Sequence, residues 1–311
     1  MGAGHGHNTG GHDHAHGRAE DRRRLLLVLA VTGTVVVVEA VGAFVSGSLA
    51  LLADAGHMLT DAAGLVVALS ASLIATRPPS PKRTYGYHRI EILAALLNAV
   101  VLLGVCGYLA YAGTRRLVSP ESVDAGPMLA FAVVGLVANL VSVAILTARR
   151  DSSLNMKGAY LEVLSDTFGS VAALVAGVIV LTTGFDRADS IASLLIAALV
   201  LPRAAALVRE AGAVLLESAP PDLNVATVRD HLCEVDGVVD VHDLHAWTIT
   251  SGMPALSAHV TVTDAALAGR GVGPILDDLT ECVEDCFGID HATFQVEPAS
   301  HRDHEQPTEH P

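Results

Sequence analysis

Residues 49–75 read LALLADAGHMLTDAAGLVVALSASLIA, a run apolar and long enough to cross a hydrocarbon core, which takes about 20 residues of helix. Three ionisable groups, Asp54, His57 and Asp61, interrupt it. Such groups are costly at membrane depth, so each is a functional candidate. Outward from this run stand five more of the same kind, at 25–45, 91–112, 127–148, 153–181 and 188–209. With 51% hydrophobic and only 17% charged residues, the chain is too apolar for an ordinary soluble enzyme. The first run carries Glu39 and ends in no small-residue cleavage site, so it is expected to stay as a span rather than to leave as a signal peptide.

Lys and Arg gather on the cytoplasmic side of short loops. One side of the six spans takes thirteen basic residues: Arg18, Arg22, Arg23, Arg24, Arg77, Lys82, Arg83, Arg89, Arg149, Arg150, Lys157, Arg203 and Arg209. The other takes only Arg115, Arg116 and Arg187. A multi-pass protein of the plasma (inner) membrane with both termini cytoplasmic is expected, as an even number of spans requires.

Four segments follow from the composition. Residues 1–24 are Gly-rich and carry His5, His7, His12, His14 and His16, which predicts a disordered cytosolic tail able to bind Zn, Ni or Cu weakly, or a polar tail with no role. Residues 25–210 form the six-span all-α domain, 211–298 a cytosolic domain and 299–311 a second disordered tail. In the cytosolic segment 222–236 looks helical, 238–250 and 254–263 alternate like strands joined around Ser251-Gly252, 272–287 looks helical and 291–297 looks like a last strand. That α-β-β-α-β order predicts a small ferredoxin-like α+β module. Residues 212–311 hold 18 acidic against 3 basic side chains, a field that repels nucleic acid and concentrates cations, or a solvated surface that keeps the domain soluble. No disulfide framework is expected from Cys106, Cys233, Cys282 and Cys286. Cys282 and Cys286, one helical turn apart, suit a soft metal or a buried helix face equally well.

The chemistry sits in two pairs. His57 and Asp61 are four residues apart on one helix face, as are Glu162 and Asp166 in the fifth span. Facing each other, the pairs supply one imidazole and three carboxylates in tetrahedral reach, a divalent-metal site. Gly56, Ala62, Gly64, Gly158 and Gly169 let such helices approach closely, and Asn98 and Asn139 suit interhelical hydrogen bonds. Asp54 is either an exit step for the ion or a hydrogen-bond partner near the outer interface, and Glu39 stands under the same two readings.

SLALLADAGHMLTDAAGL at 48–65 and MKGAYLEVLSDTFGS at 156–170 resemble the transport-site motifs of the cation diffusion facilitator family, and of its cobalt–zinc–cadmium resistance exporters in particular. VHDLHAWTITSGMPALSAHV at 241–260 and FGIDHATFQVE at 287–297 resemble that family's cytosolic domain. The resemblance implies a homodimeric, proton-coupled antiporter. By position, His57, Asp61, Glu162 and Asp166 would be the transport ligands; His242, His259 and Glu297, with His245 and His291 as further contributors, would bind metal in the cytosolic domain. Many zinc-selective members carry histidine where this chain has Glu162, so Cd2+, Co2+, Mn2+ and Fe2+ stand beside Zn2+ as expected ions, with protons as counter-ion.

Proton exchange fits the ligands themselves: carboxylate and imidazole must lose protons to bind metal, so the two ions compete. The spans contain no His-Glu-x-x-His run for an intramembrane metalloenzyme, and a transporter rather than an enzyme is expected. The alternative is a metal-sensing membrane receptor, which has no need of intramembrane ligand pairs. A channel is disfavoured by four ligands closing on one ion.

Overall fold

The computed structural model describes residues 10–148, 150 and 154–304. The chain divides into two compact units, Met1–Val67 with Leu97–Ala206, and Ala68–Leu96 with Leu207–Pro311. Six helices long and apolar enough to cross a membrane occupy the expected runs: α1 (Gly10–Ser46), α2 (Leu49–Ala75), α3 (Ile90–Val118), α4 (Ala125–Thr147), α5 (Leu154–Thr183) and α6 (Arg187–Leu215). The first differs from expectation at its start. It begins at Gly10, inside the stretch read as a tail, because Ala15, Arg18, Ala19, Glu20 and Arg22 are good helix formers contiguous with the apolar span. His5 and His7, and the side chains of His12, His14 and His16, lie outside the described residues.

The first unit packs through small side chains. Ala43 of α1, Ala50 of α2, Ala132 of α4, Ala173 and Ala176 of α5 and Ala188 of α6 share one buried cluster, as expected where lipid removes the hydrophobic drive and close backbone approach replaces it. Large apolar residues face outward instead, among them Phe44 at 91% and Tyr111 at 67% exposure, a surface suited to lipid.

An unusual cap holds the start of α2. Its first N–H groups have no intrahelical partner, and buried Asp189 of α6 accepts from Leu49 N (2.7 Å), Ala50 N (3.1 Å) and the Ser48 hydroxyl. A negative charge at a helix N-terminus is favourable, and here it ties two helices together. Asp189→Ala leaves those buried donors unpaired and is expected to cost about 1–3 kcal/mol. Thermal unfolding of the detergent-purified protein checks this; an unchanged midpoint would mean that the cap contributes nothing.

The second unit contains α7 (Val225–Cys233), β1 (Val238–Thr250), β2 (Met253–Val262), α8 (Asp264–Arg270), α9 (Val272–Phe287), β3 (His291–Pro298) and a 3-10 turn over Ala299–His304, where a tail was expected. Ser300 anchors that turn by hydrogen-bonding Asp264 (2.9 Å). α7 is shorter than the run that suggested it, because Asn224 accepts from the N–H groups of Ala226 and Thr227 and so fixes its start. The sheet order is β1-β2-β3, with β1 and β2 antiparallel and β2 and β3 parallel. Val228 and Leu232 of α7 and Ile275, Leu279 and Val283 of α9 pack against one face, presented by Val241, Leu256, Val260 and Val262. Period-2 alternation then sends His242, His259 and Glu297 to the opposite face. In the same unit Arg89 pairs with Glu217 (2.9 Å), and the β1 terminus reaches Glu91 of α3 through Thr250 (3.3 Å).

Candidate metal centres

In the membrane unit, α2 and α5 bring three of the four expected ligands together. His57 Nε2 lies 3.5 Å from Asp61 Oδ2 and 3.6 Å from Asp166 Oδ1. One ligand atom from each of the three lies within 4.8 Å of the others. The i, i+4 spacing puts His57 and Asp61 on one face of α2, and Thr167, next to Asp166 on α5, satisfies its hydroxyl by donating back to Val163 O (2.8 Å). Both His57 nitrogens, Asp61 Oδ2 and Asp166 Oδ1 are buried and make no hydrogen bond. A cavity of 440 Å³ lined by Met58, Asp61, Glu162 and Asp166 reaches the cluster.

Glu162 stands apart from the trio. Its side chain is 37% exposed, it lines the same cavity, and its carboxyl reaches that of Asp61. Between the two carboxylates sits Arg203 of α6, 3.5 Å from Asp61 Oδ2 and 3.9 Å from Glu162 Oε1. The sequence suggested only a cytoplasmic flanking charge at this position. Pro202 beside it, which cannot donate to the preceding turn of α6, was the available signal that this stretch differs from the rest of the span. A guanidinium between the carboxylates is a tethered cation that offsets part of their charge.

In the cytosolic unit, the pairing of His242 with His259 across β1 and β2, and of Thr261 with Glu297 across β2 and β3, places the three expected ligands side by side. His259 Nδ1 is 3.0 Å and His242 Nε2 3.8 Å from the Glu297 carboxylate, and the imidazole centroids are 5.3 Å apart. Glu297 is buried, and Gln295 orients it by donating from Nε2 at 2.6 Å. Asp243, missed in the sequence as one more acid in an acidic domain, joins the group: its carboxylate is 3.8 Å from His259 Nε2 and 3.0 Å from His245 Nε2. A register shift in β1 between His242 and His245 and a left-handed backbone at Asp243 (φ 49°) turn that side chain towards the histidines. His245 therefore reaches the group through Asp243, beside the three-residue cluster. His291 does not converge with it: it pairs with Ala255 at the far end of β3, six residues and roughly 20 Å from Glu297.

Cys282 is half-buried and Cys286 exposed on α9. Burial pushes the Cys282 thiol up, and neighbouring Cys286 adds to the shift, which disfavours the thiolate a soft metal needs. Asn139 donates to Ser170 Oγ between α4 and α5 (3.1 Å), the interhelical role expected of it.

The model of the cation efflux transmembrane domain matches residues 25–216, and that of the cation efflux protein cytoplasmic domain matches 220–299. The metal cation efflux system protein CzcD of Cupriavidus metallidurans is 44% identical over 302 residues, covering 96% of this chain and 91% of that protein. A cadmium, cobalt and zinc/H(+)-K(+) antiporter of Bacillus velezensis is 37% identical over 293 residues, 94% of this chain and 93% of that protein. The zinc transporter ZitB of Escherichia coli is 39% identical over 293 residues, 92% of each.

Proposed function

The chain belongs to the cation diffusion facilitator family, in its cobalt–zinc–cadmium branch, and on that premise we propose that it exports Zn2+, and with it Cd2+ and Co2+, from the cytoplasm in exchange for protons. It is a multi-pass metal cation transporter. The observation that carries the finer reading is the buried convergence of His57, Asp61 and Asp166 from two helices, with ligand atoms on all three that make no hydrogen bond. One imidazole and two or three carboxylates suit a borderline divalent ion, and Glu162 at the edge adds hard character that admits Mn2+ and Fe2+ more readily.

The exchange follows from competition at the ligands. Facing the cytoplasm, the site loses its protons and takes a metal ion, which displaces the Arg203 guanidinium from Asp61. Facing a more acidic exterior, the carboxylates take up protons and the ion leaves. Thirteen basic residues on one side of the spans against three on the other support an inner-membrane orientation with both termini cytoplasmic. Two copies pair through their cytosolic units, where metal at His242, His259 and Glu297 regulates transport if it binds one conformation better than the other.

Everted membrane vesicles test the proposal. They are expected to accumulate Zn2+, Cd2+ and Co2+ when their interior is acidified, and to lose that accumulation when the pH gradient is collapsed. Accumulation indifferent to the gradient would remove the proton coupling; metal binding without any transport would favour the sensing receptor.

A further inference from the structure

A second ionisable cluster lies in the membrane unit outside the metal trio. Glu39 of α1 and Asp54 of α2 are both 0% exposed, and their carboxyls lie within hydrogen-bonding reach of each other. Two helices make room for them. A Cβ at Gly135 of α4 would collide with the Glu39 carboxylate, and one at Gly169 of α5 with that of Asp54, so a larger residue at either position would displace the carboxylate from its place. Ser170 donates to Asp54 Oδ2 (2.8 Å) and accepts from Asn139 Nδ2 (3.1 Å). Both Glu39 oxygens and Asp54 Oδ1 have no donor, and Asn139 Oδ1 and Ser142 Oγ, on the same helix as Gly135, are unpartnered too.

Two carboxylates in contact, fully removed from water, cannot both keep a negative charge unless a cation sits with them. Among the described residues no Lys, Arg or His forms an ion pair with either carboxyl; the charged groups acting on Glu39 are Asp54 from α2 and Asp166 from α5, and α4 presents only neutral side chains. The available donors are all oxygen, without the imidazole that marks the metal trio, so a transition metal is poorly matched. A proton, carried by one carboxyl and accepted by the other, satisfies the geometry with no further ligand.

We infer that Glu39 and Asp54 form a shared-proton carboxyl pair, a second ion station distinct from the His57/Asp61/Asp166 site. The pair is coupled to that site through common helices: Asp54 stands three residues before His57 on α2, and Ser170 four residues after Asp166 on α5. Any rearrangement of α2 against α5 that opens the metal site also changes the distance between Asp54 and Ser170, and with it the hold on the proton. A role in antiport rests on the transporter reading above, whereas the shared proton stands without it.

Infrared spectroscopy of the full-length protein in proteoliposomes reads the proton directly. At neutral pH with saturating Cd2+, which strips protons from the metal ligands, wild type is expected to show the carbonyl stretch of a buried carboxylic acid, shifted in D2O. Glu39→Gln and Asp54→Asn should each remove that band while leaving Cd2+ affinity within roughly threefold, and lower gradient-driven uptake by roughly tenfold or more. Retention of Cd2+ binding also shows that a variant has folded, and the wild-type band is informative without any variant. Absence of the band in wild type, its survival in both variants, or its replacement by saturable K+ or Na+ binding lost in both variants would each overturn the shared proton. Loss of Cd2+ binding in Asp61→Asn with the band intact keeps the two sites separate; a band that disappears in Asp61→Asn but survives Glu39→Gln and Asp54→Asn places the proton on the metal site instead.

Discussion

Asp61→Ala and Asp166→Ala are each expected to abolish uptake of every metal, the largest effect of any single substitution in the membrane unit. Each removes one of three candidate ligand groups whose atoms lie within 4.8 Å of one another. Loss of a group that merely orients a ligand costs about 10–100-fold in affinity, so loss of a ligand should exceed the upper end. A second term applies to Asp61. Arg203 lies 3.5 Å from it, and without that carboxylate the guanidinium keeps only Glu162, leaving positive charge beside a site meant for a divalent cation. Asp61→Asn separates the terms from simple misfolding, because it keeps the volume and a neutral oxygen. The measurement is vesicle uptake by variants matched for expression and dimerisation, with Cd2+ affinity of the purified proteins alongside. If Asp61→Ala or Asp166→Ala transports Zn2+ at anything near the wild-type rate, the trio is not the transport site.

What the sequence revealed depended on how far apart in the chain the interacting groups lie. The six spans were legible because length and apolarity are local properties, and the β1–β2 hairpin because Ser251-Gly252 interrupts a clear alternation. α8 was not, since seven residues with a glycine inside and another after it carry too little periodicity; its start is set by Thr263 accepting from Ala266 N. His57 with Asp61 was readable from spacing on one helix. Arg203 reads as a flanking charge until α6 is folded beside α2, and Asp243 reads as solvated acid until the shift in β1 turns it towards His259. His291 went the other way: its motif suggested a ligand, and the parallel register of β2 with β3 puts it at the wrong end of the strand. Glu39 and Asp54 were each visible as costly residues, but their contact is a tertiary fact that no spacing encodes.

Glu162→His is expected to narrow the substrate range towards Zn2+, raising the Zn2+ to Mn2+ uptake ratio on the order of tenfold. Glu162 is the position where this chain differs from the histidine that many zinc-selective members carry, and its carboxyl reaches Asp61 at the rim of the cavity. Exchanging a hard oxygen donor for an imidazole favours Zn2+, which binds nitrogen well, over Mn2+, which prefers oxygen. Charge works against binding of every divalent ion at once. With Asp61, Glu162 and Asp166 ionised and His57 neutral, the wild-type site balances one divalent ion with Arg203 shifted off Asp61 but still beside Glu162; the variant has one negative charge fewer and no carboxylate at 162 to keep the guanidinium, 48% exposed, so it must swing fully towards water before metal binds. Absolute affinity should therefore fall for all ions while the ratio rises, and Arg203→Gln in the Glu162→His background should restore affinity without reversing the ratio. Uptake of each metal across wild type, Glu162→His and the double variant separates donor softness from charge. A ratio unchanged in Glu162→His would show that the rim carboxylate does not touch the transported ion, and the site would then consist of His57, Asp61 and Asp166 alone.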